Sequence, residues 1–445
     1  MTLRRAEASS AEARKRREYT SIVEESSRGD GAGAYRGRAG GFTDWLPGAA
    51  ERRFAVSDAC LRSFHSWGYS LVATPLIEPL DTVAAGLGAG RLNQLFRFMD
   101  SDGSLLALVA ERTISVARVV ATQMRDEPFP LRLCYSGPVL RNQPLLGARR
   151  RETLQAGCEL IGAGELAADA ECVALAADAL ASAGLRNVQV DVGHADFLPG
   201  LLEGAGLGQA VQHRVLSALA QRDLVSVEHA LEDTPMEGAE RSLLLRFPAL
   251  RGGREILDVA GEGLSAPRPL RALAELAELW ELLEAHGVAG TVHLDLGAVR
   301  DWDYYTGPIF ELFSGNLGFP LGSGGRYDNL LRRFGLDAPA TGFVLQIDRC
   351  YDALERAEPG WSEAERVDGD ALRVAYAAGC AREAIGAVRR IRAAGRAAIC
   401  DPLPANARPG AQVRIEPDGA SWSLNGAWHS GSLDEALAAV TSRSG

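Results

Sequence analysis

Lysine is all but missing. Lys15 is the one lysine, so the remaining members of the 47 basic residues are arginines, a bias of coding that lowers the functional weight of any single arginine. Paired cysteines are missing too. Cys60, Cys134, Cys158, Cys172, Cys350, Cys380 and Cys400 are scattered without a CxxC, which excludes a disulfide framework and the common zinc pattern. The seven histidines show no HExxH spacing; no metal and no cofactor are expected, and the thiols are expected buried and reduced. The longest apolar runs, such as "LLALVA" at 105–110, fall far short of the roughly 20 residues of a membrane span. No secretory-type hydrophobic segment opens the sequence, so a cytoplasmic protein is expected. Concentrated positive charge is also lacking. A net charge of −11 and a pI near 5.3 argue against nucleic acid as a partner of the whole chain, although a local basic groove could still sit on an acidic protein.

What is present is the balance of a globular chain, 47% hydrophobic and 24% charged over 445 residues, long enough for two or three domains. Residues 1–40 mix Arg, Glu, Ser and Gly and read as a mobile arm with a short helix around 10–25. Ordered sequence is expected from "GFTDWLP". A helix over 48–67 places Phe54, Leu61 and Phe64 on one side and stops at Gly68; "YSLVATP" reads as a strand. "LLALVAER" at 105–112 reads as a buried strand, with Thr113 opening a helix, and 131–161 as two strands joined by "NQPLLGARR". The alanine-rich 164–184 predicts a helix. A helical insertion follows at about 198–265, and then a helix with Leu270, Leu273, Ala277 and Trp280 on one stripe, stopped by Gly287. Three strands are expected over 291–325, with His293 as an exposed strand residue. A polar link then leads to a small α/β unit over 371–445, with a hairpin at Asn425-Gly426 and a capping box at Ser432/Glu435. No internal repeat is visible.

Four segments gather chemistry-bearing side chains. "VAERT" offers Glu111 and Thr113; "VLRNQPLLGARRRETLQAGCELIG" offers Arg141, Arg149, Gln155 and Glu159; "VRDWDYYTGPIFELF" offers Arg300, Tyr304 and Tyr305. "GSGGRYDNLLRRFG" with "TGFVLQIDRC" adds Arg326, Tyr327 and Arg349. A lone "GSGGRY" is more often a tight turn than a ligand cradle. On a strand, however, Gln155, Gly157 and Glu159 share one face, leaving room for a ligand over the glycine. Carboxylates on a central strand are costly to bury without a cation, so an ammonium group is a natural occupant.

In this order and at these separations, over roughly 42–350, the segments resemble the class II aminoacyl-tRNA synthetase core in its histidyl form. They resemble still more closely the synthetase-like regulatory subunits of ATP phosphoribosyltransferase; "DWDYYTGPIFE" with "GGRYDNL" is the most specific pair. The resemblance implies an α+β fold: an antiparallel sheet of about six strands flanked by helices in a core over 41–355, followed by the small C-terminal domain. It implies a histidine pocket lined by Glu111, Thr113, Gln155, Glu159, Arg300, Tyr304 and Tyr305, carboxylates toward the α-ammonium and phenols toward the imidazole. The positions matching Arg141, Arg300 and Arg349 engage phosphates or the substrate carboxylate in a synthetase.

Departures from the synthetase pattern point away from adenylation. Gln143 stands where a glutamate follows the first arginine, the loop reads "PLLG", and Gln346 replaces a small glycine under the adenine. A side chain of that length overpacks a purine slot by about 1–3 kcal/mol, which leaves Arg141, Gln143, Gln346 and Arg349 as a vestigial nucleotide site. With about 75 residues left for the last domain and its charges nearly balanced, tRNA is not an expected partner. The resemblance implies instead a homodimer across 48–78, inside a hetero-octamer with the short-form catalytic subunit and with L-histidine as ligand. A divergent histidyl-tRNA synthetase, an unpartnered histidine-binding protein and an inert dimerisation scaffold are the alternatives.

Overall fold

The computed structural model describes residues 37–87, 89–144, 150–220, 223–232, 234, 236, 238–297, 304–361, 371–402, 412–424 and 427–441. Most of the arm expected over 1–40, with its helix, and the positions Arg149, Arg300, Asn425 and Gly426 lie outside the described residues. The chain divides into two units, one of Met1–Trp45 with Arg53–Ala357 and one of Leu46–Arg52 with Glu358–Gly445.

The described residues of the larger unit carry twelve strands: β1 (Ser70–Leu71), β2 (Ile77–Pro79), β3 (Arg97–Met99), β4 (Leu105–Leu108), β5 (Leu131–Leu140), β6 (Glu152–Ile161), β7 (Val188–His194), β8 (Arg251–Gly252), β9 (Val292–Asp295), β10 (Pro308–Ser314), β11 (Gly322–Arg326) and β12 (Ala340–Gln346). Nine form one sheet in the order β1-β5-β6-β12-β11-β10-β7-β9-β8. Its middle, from β5 to β7, is antiparallel at every pairing. The antiparallel sheet of about six strands is present in number, but two of its members, β7 and β12, were not among the strands expected from the sequence. β1 and β9 add on in parallel and β8 closes one edge.

Five expectations need correction. "YSLVATP" yields only two residues of strand, because β1 is an edge paired on one side. "LLALVAER" does not enter the large sheet; β4 pairs β2 and β3 in a separate three-stranded sheet, and Leu105 at its start is exposed. The helix Ala49–Ser66 buries Val56, Ala59, Cys60, Ser63 and Phe64 but leaves Phe54 55% exposed, and Gly68 ends the segment at φ 84°. The stripe of helix Pro267–Ala285 is likewise offset by one residue: Pro269, Ala272, Leu273, Leu276, Leu279 and Leu283 are buried, and Leu270 is exposed. His293 is half-buried rather than exposed.

One face of the large sheet packs on helix Leu166–Ser182, whose Ala170, Val173, Ala174, Leu175 and Leu180 are buried. Arg326 points to that face, where Nε and Nη2 donate to Asp169 Oδ2 at 2.9 and 2.5 Å. It therefore stands apart from the other arginines of the motif: two positions from Gly324 on β11, it shares Gly324's parity and not that of Ser323. Both partners are buried. Arg326→Ala leaves the Asp169 charge stranded, and a loss of about 3–5 kcal/mol in urea-unfolding free energy is expected; a loss below about 1 kcal/mol would contradict this assignment.

The helical insertion contains helices Phe197–Gly204, Gln209–Ala220, Leu224–Leu231, Gly238–Leu245 and Glu255–Gly261. The smaller unit carries strands β13 (Leu372–Tyr376), β14 (Ala398–Pro402), β15 (Val413–Glu416), β16 (Gly419–Leu424) and β17 (Ala427–Gly431) in the order β14-β13-β15-β16-β17. Strand, helix Ala381–Ala393 and strand give the parallel β13/β14 pair, and Leu424 opposite Ala427 gives the hairpin. Ser432 N–H donates to Glu435 Oε2 at 2.8 Å and Glu435 N–H to Ser432 Oγ at 3.2 Å, the reciprocal bonds of a capping box. All seven cysteines are unpaired, and six are buried.

Candidate functional site

Opposite the helix-covered face, the sheet presents Tyr135 on β5, Gln155, Gly157 and Glu159 on β6, and Gly342, Val344 and Gln346 on β12, aligned by the strand register. Over them lies an inner cavity of about 110 Å³, whose walls include Glu111, Thr113, Arg141, Glu159, Tyr304, Tyr305 and Tyr327. An outer cavity of about 440 Å³ adjoins it, walled by Gln143, Arg150, Arg151, Thr153, Phe319 and Asp348 among others. Arg141, Gln346 and Arg349 line both.

Glu111 occupies the N-cap of helix Arg112–Gln123 in extended conformation (φ −156°, ψ 131°), yet its side chain caps no backbone N–H. It turns into the cavity instead, where Tyr304 Oη donates to Oε1 at 2.5 Å, while Oε2 has no hydrogen-bond partner among the described residues. Burial raises its pKa, opposed by the Tyr304 bond and by the charges of Arg141 and Arg91. Burial also lifts Tyr304, with the Glu111 charge adding to it, so the phenol stays a donor. Tyr304 lies 4.8 Å, ring to ring, from Tyr305 and 5.8 Å from Tyr327.

Glu159 sits under two phenols. Tyr135 Oη donates to Oε1 at 3.1 Å, and Tyr327 Oη donates to Oε2. A Cβ at Gly157 would come within 2.6 Å of Tyr135 Oη, and one at Gly342 would collide with Glu159 Oε2; both glycines are needed to let these side chains lie flat on the sheet. Glu159 is 1% exposed. Burial pushes its pKa up to about 8 against the bonds from Tyr327, Thr113 and Tyr135, with the Glu111 charge adding to the rise. A carboxyl raised in the native state contributes stability below its unfolded value of 4.5, and that stability is lost as pH rises through about 8. Relative to Glu159→Gln, the unliganded protein is expected to lose stability between pH 5 and 8 with a slope approaching about 1.4 kcal/mol per pH unit. Urea unfolding of both proteins across that range checks this; a pH-independent difference would refute it.

The structure thus gathers Glu111, Thr113, Glu159, Tyr304 and Tyr305 around one cavity, with Arg141, Gln346 and Arg349 at its outer end. Gln155 stands apart from these. It is fully buried on the same face, but it does not wall the cavity, and both atoms of its amide lack a hydrogen-bond partner among the described residues. The room expected over Gly157 is filled by the Tyr135 ring. Arg141 Nε donates to Ala110 O at 3.0 Å and Arg349 Nη1 to Pro320 O at 2.7 Å, anchoring both at the seam of the cavities. Gln143 Nε2 folds back onto Arg150 O at 2.7 Å, and Arg150 makes two bonds to Asp352 at 2.9 and 3.0 Å.

Two residues escaped sequence reasoning as wall or neighbour of the site, while Tyr327, named with its motif, joins the pocket wall. Tyr135 could have been placed by the parity it shares with Leu133 and Gly137 along β5, opposite Gly157. Arg91, whose charge acts on Glu111, comes from the 3-10 turn Ala89–Gln94, where no periodic pattern marks it.

Comparison with known proteins agrees with this fold. Residues 41–350 match the histidyl-tRNA synthetase family model. The ATP phosphoribosyltransferase regulatory subunit of Geobacter sulfurreducens is 41% identical over 317 residues, 71% of this chain and 72% of that protein. Its namesake in Moorella thermoacetica is 41% identical over 319 residues, 72% and 82%. A solved structure from Bacillus halodurans, described as an ATP phosphoribosyltransferase regulatory subunit/histidyl-tRNA synthetase, is similar with a TM-score of 0.75 at 31% identity, covering 86% of this chain and 98% of that one. Histidyl-tRNA synthetase from Nostoc sp. has a TM-score of 0.72 at 19% identity, covering 90% and 98%, a likeness of fold alone. The chain belongs to the family of ATP phosphoribosyltransferase regulatory subunits, whose core is that of a histidyl-tRNA synthetase.

Proposed function

We propose that this protein is the non-catalytic regulatory subunit of ATP phosphoribosyltransferase, acting in the cytoplasm in the first step of histidine biosynthesis. It activates a short-form catalytic subunit, which joins ATP to phosphoribosyl pyrophosphate, and carries histidine feedback to it. The observation that supports this best is the inner cavity, where two buried carboxylates and three phenols stand ready for a small cationic ligand while Gln346 lies across its outer end. On entering, the α-ammonium group of histidine pairs with Glu111 or Glu159 and favours the ionised carboxylate that burial alone disfavours, and the phenols hold the imidazole. Arg300, outside the described residues, is assigned to the ligand carboxylate, and the buried amide of Gln155 to the polar surroundings of the same pocket.

Exposed apolar side chains on the segment 48–78, Phe54 at 55%, Leu71 at 58% and Ile77 at 45%, support a homodimer there, built into a hetero-octamer with the catalytic chains. Feedback is then a linkage: histidine inhibits by the difference in its affinity for active and inactive assemblies, usually about 1–3 kcal/mol. Mixing the purified chain with a short-form catalytic subunit tests the reading. A co-eluting complex with at least tenfold faster phosphoribosyl transfer is expected; separate elution with unchanged rate would reject it. A second reading, a divergent histidyl-tRNA synthetase, is favoured by Arg141 and Arg349 on the cavity wall, but Gln143 and Gln346 stand against it.

A further inference from the structure

The helical insertion carries a surface groove between helices Glu255–Gly261 and Pro267–Ala285 that plays no part in the site above. Leu257 and Leu273 floor it, and Val259 and Leu270, each 37% exposed, form its apolar walls. Gly261, Ala274 and Ala277 keep it shallow enough for another backbone to approach closely. Its charged lining residues are Asp258 and Glu262, both exposed, and among the described residues no cation lines it; the nearby Arg254 faces Glu281 at 4.0 Å. An apolar trough with an acidic rim fits an amphipathic, basic helix laid into it.

The chain itself supplies such a sequence. Within "EARKRREYTSIVEE", residues 12–25, the positive charge is concentrated in four consecutive cations, Arg14, Lys15, Arg16 and Arg17, with Glu12 before them and Glu18, Glu24 and Glu25 after. Tyr19, Ile22 and Val23 follow at i, i+3, i+4, the spacing of one helical stripe. The twenty-three residues from Lys15 to Gly37 can span about 70 Å when extended, well beyond the radius of about 20 Å typical of a domain of some 300 residues. We propose that the N-terminal arm of the same molecule occupies this groove, with Tyr19, Ile22 and Val23 against Val259 and Leu270 and the basic run against Asp258 and Glu262.

The rarity of lysine makes the test specific, because Lys15 carries the only ε-amine. An equal mixture of isotopically light and heavy full-length protein is treated with a carbodiimide, which joins amines to carboxylates in direct contact, and the linked peptides are mapped by mass spectrometry. The expected product joins Lys15 to Asp258 or Glu262 with both peptides light or both heavy, and its yield falls at least fivefold in Asp258→Asn/Glu262→Gln. Removing residues 1–36 is expected to speed amide exchange across Val259–Gly261 at least fivefold. Light–heavy pairs would assign the groove to a second copy and overturn the proposal. So would Lys15 linked elsewhere, or no link together with unchanged exchange after truncation.

Discussion

Glu159→Ala should abolish histidine feedback while leaving activation of the catalytic subunit in place. In the wild-type pocket a cationic ligand meets a carboxyl that already holds two phenolic bonds, so the ligand's charge completes a pairing that the fold leaves open. Truncating one partner of a buried, hydrogen-bonded charge pair costs about 2–5 kcal/mol, or about 30- to 4,000-fold in affinity. Calorimetric titration of histidine into wild-type and variant chains measures it. The variant also deprives Tyr135 and Tyr327 of their acceptor, which lowers stability whatever the ligand. Glu159→Gln therefore serves as companion: it keeps an acceptor for the phenols and removes only the charge, and it is expected to lose affinity while its thermal midpoint below pH 6 stays near wild type. Unchanged histidine affinity in both variants would place the feedback site elsewhere, at a subunit contact.

Removing the side chain at 346 should admit the purine. Gln346 borders both cavities and is half-buried at the end of β12; on the reading proposed above, its amide takes the space that a flat ring would need. Relief of an overpacking of about 1–3 kcal/mol corresponds to about a 5- to 150-fold gain in ATP affinity for Gln346→Gly. Equilibrium dialysis with labelled ATP reads this directly. Arg141 and Arg349 remain at the wall to meet phosphates, and for that reason the gain is expected in binding before any turnover. Tight ATP binding by the wild-type chain, unimproved by the glycine, would remove Gln346 from its assigned role.

The parts of this protein legible in the sequence are those where local pattern and tertiary demand coincide. β5 and β6 were legible as two extended ten-residue segments either side of a turn-rich loop, and they pair antiparallel along their whole length; β12, buried on both faces for most of its seven residues, carries no alternation to mark it. The capping box at Ser432 and the left-handed stops at Gly68, Gly184 and Gly287 are set by their own few residues. Leu105–Leu108 failed for the opposite reason: a short apolar run shows that a strand forms, not which sheet receives it. The stripe on helix Pro267–Ala285 was displaced because heptad-like leucines leave two neighbouring faces nearly equal, and packing in the fold chose the one through Leu276 and Leu283. Within the site, Glu111 and Glu159 were visible as charges where apolar residues would suffice. Tyr135 closing the space over Gly157 was not, because whether a phenol lies flat or stands upright depends on the strand beside it.

The most direct test is histidine-dependent exchange of labelled pyrophosphate into ATP by the purified chain alone. Exchange at the level of the histidine-free control is the predicted result, with histidine bound yet unreacted. Sustained exchange above that level, carried through to charged tRNA, would show an adenylating enzyme and contradict the account.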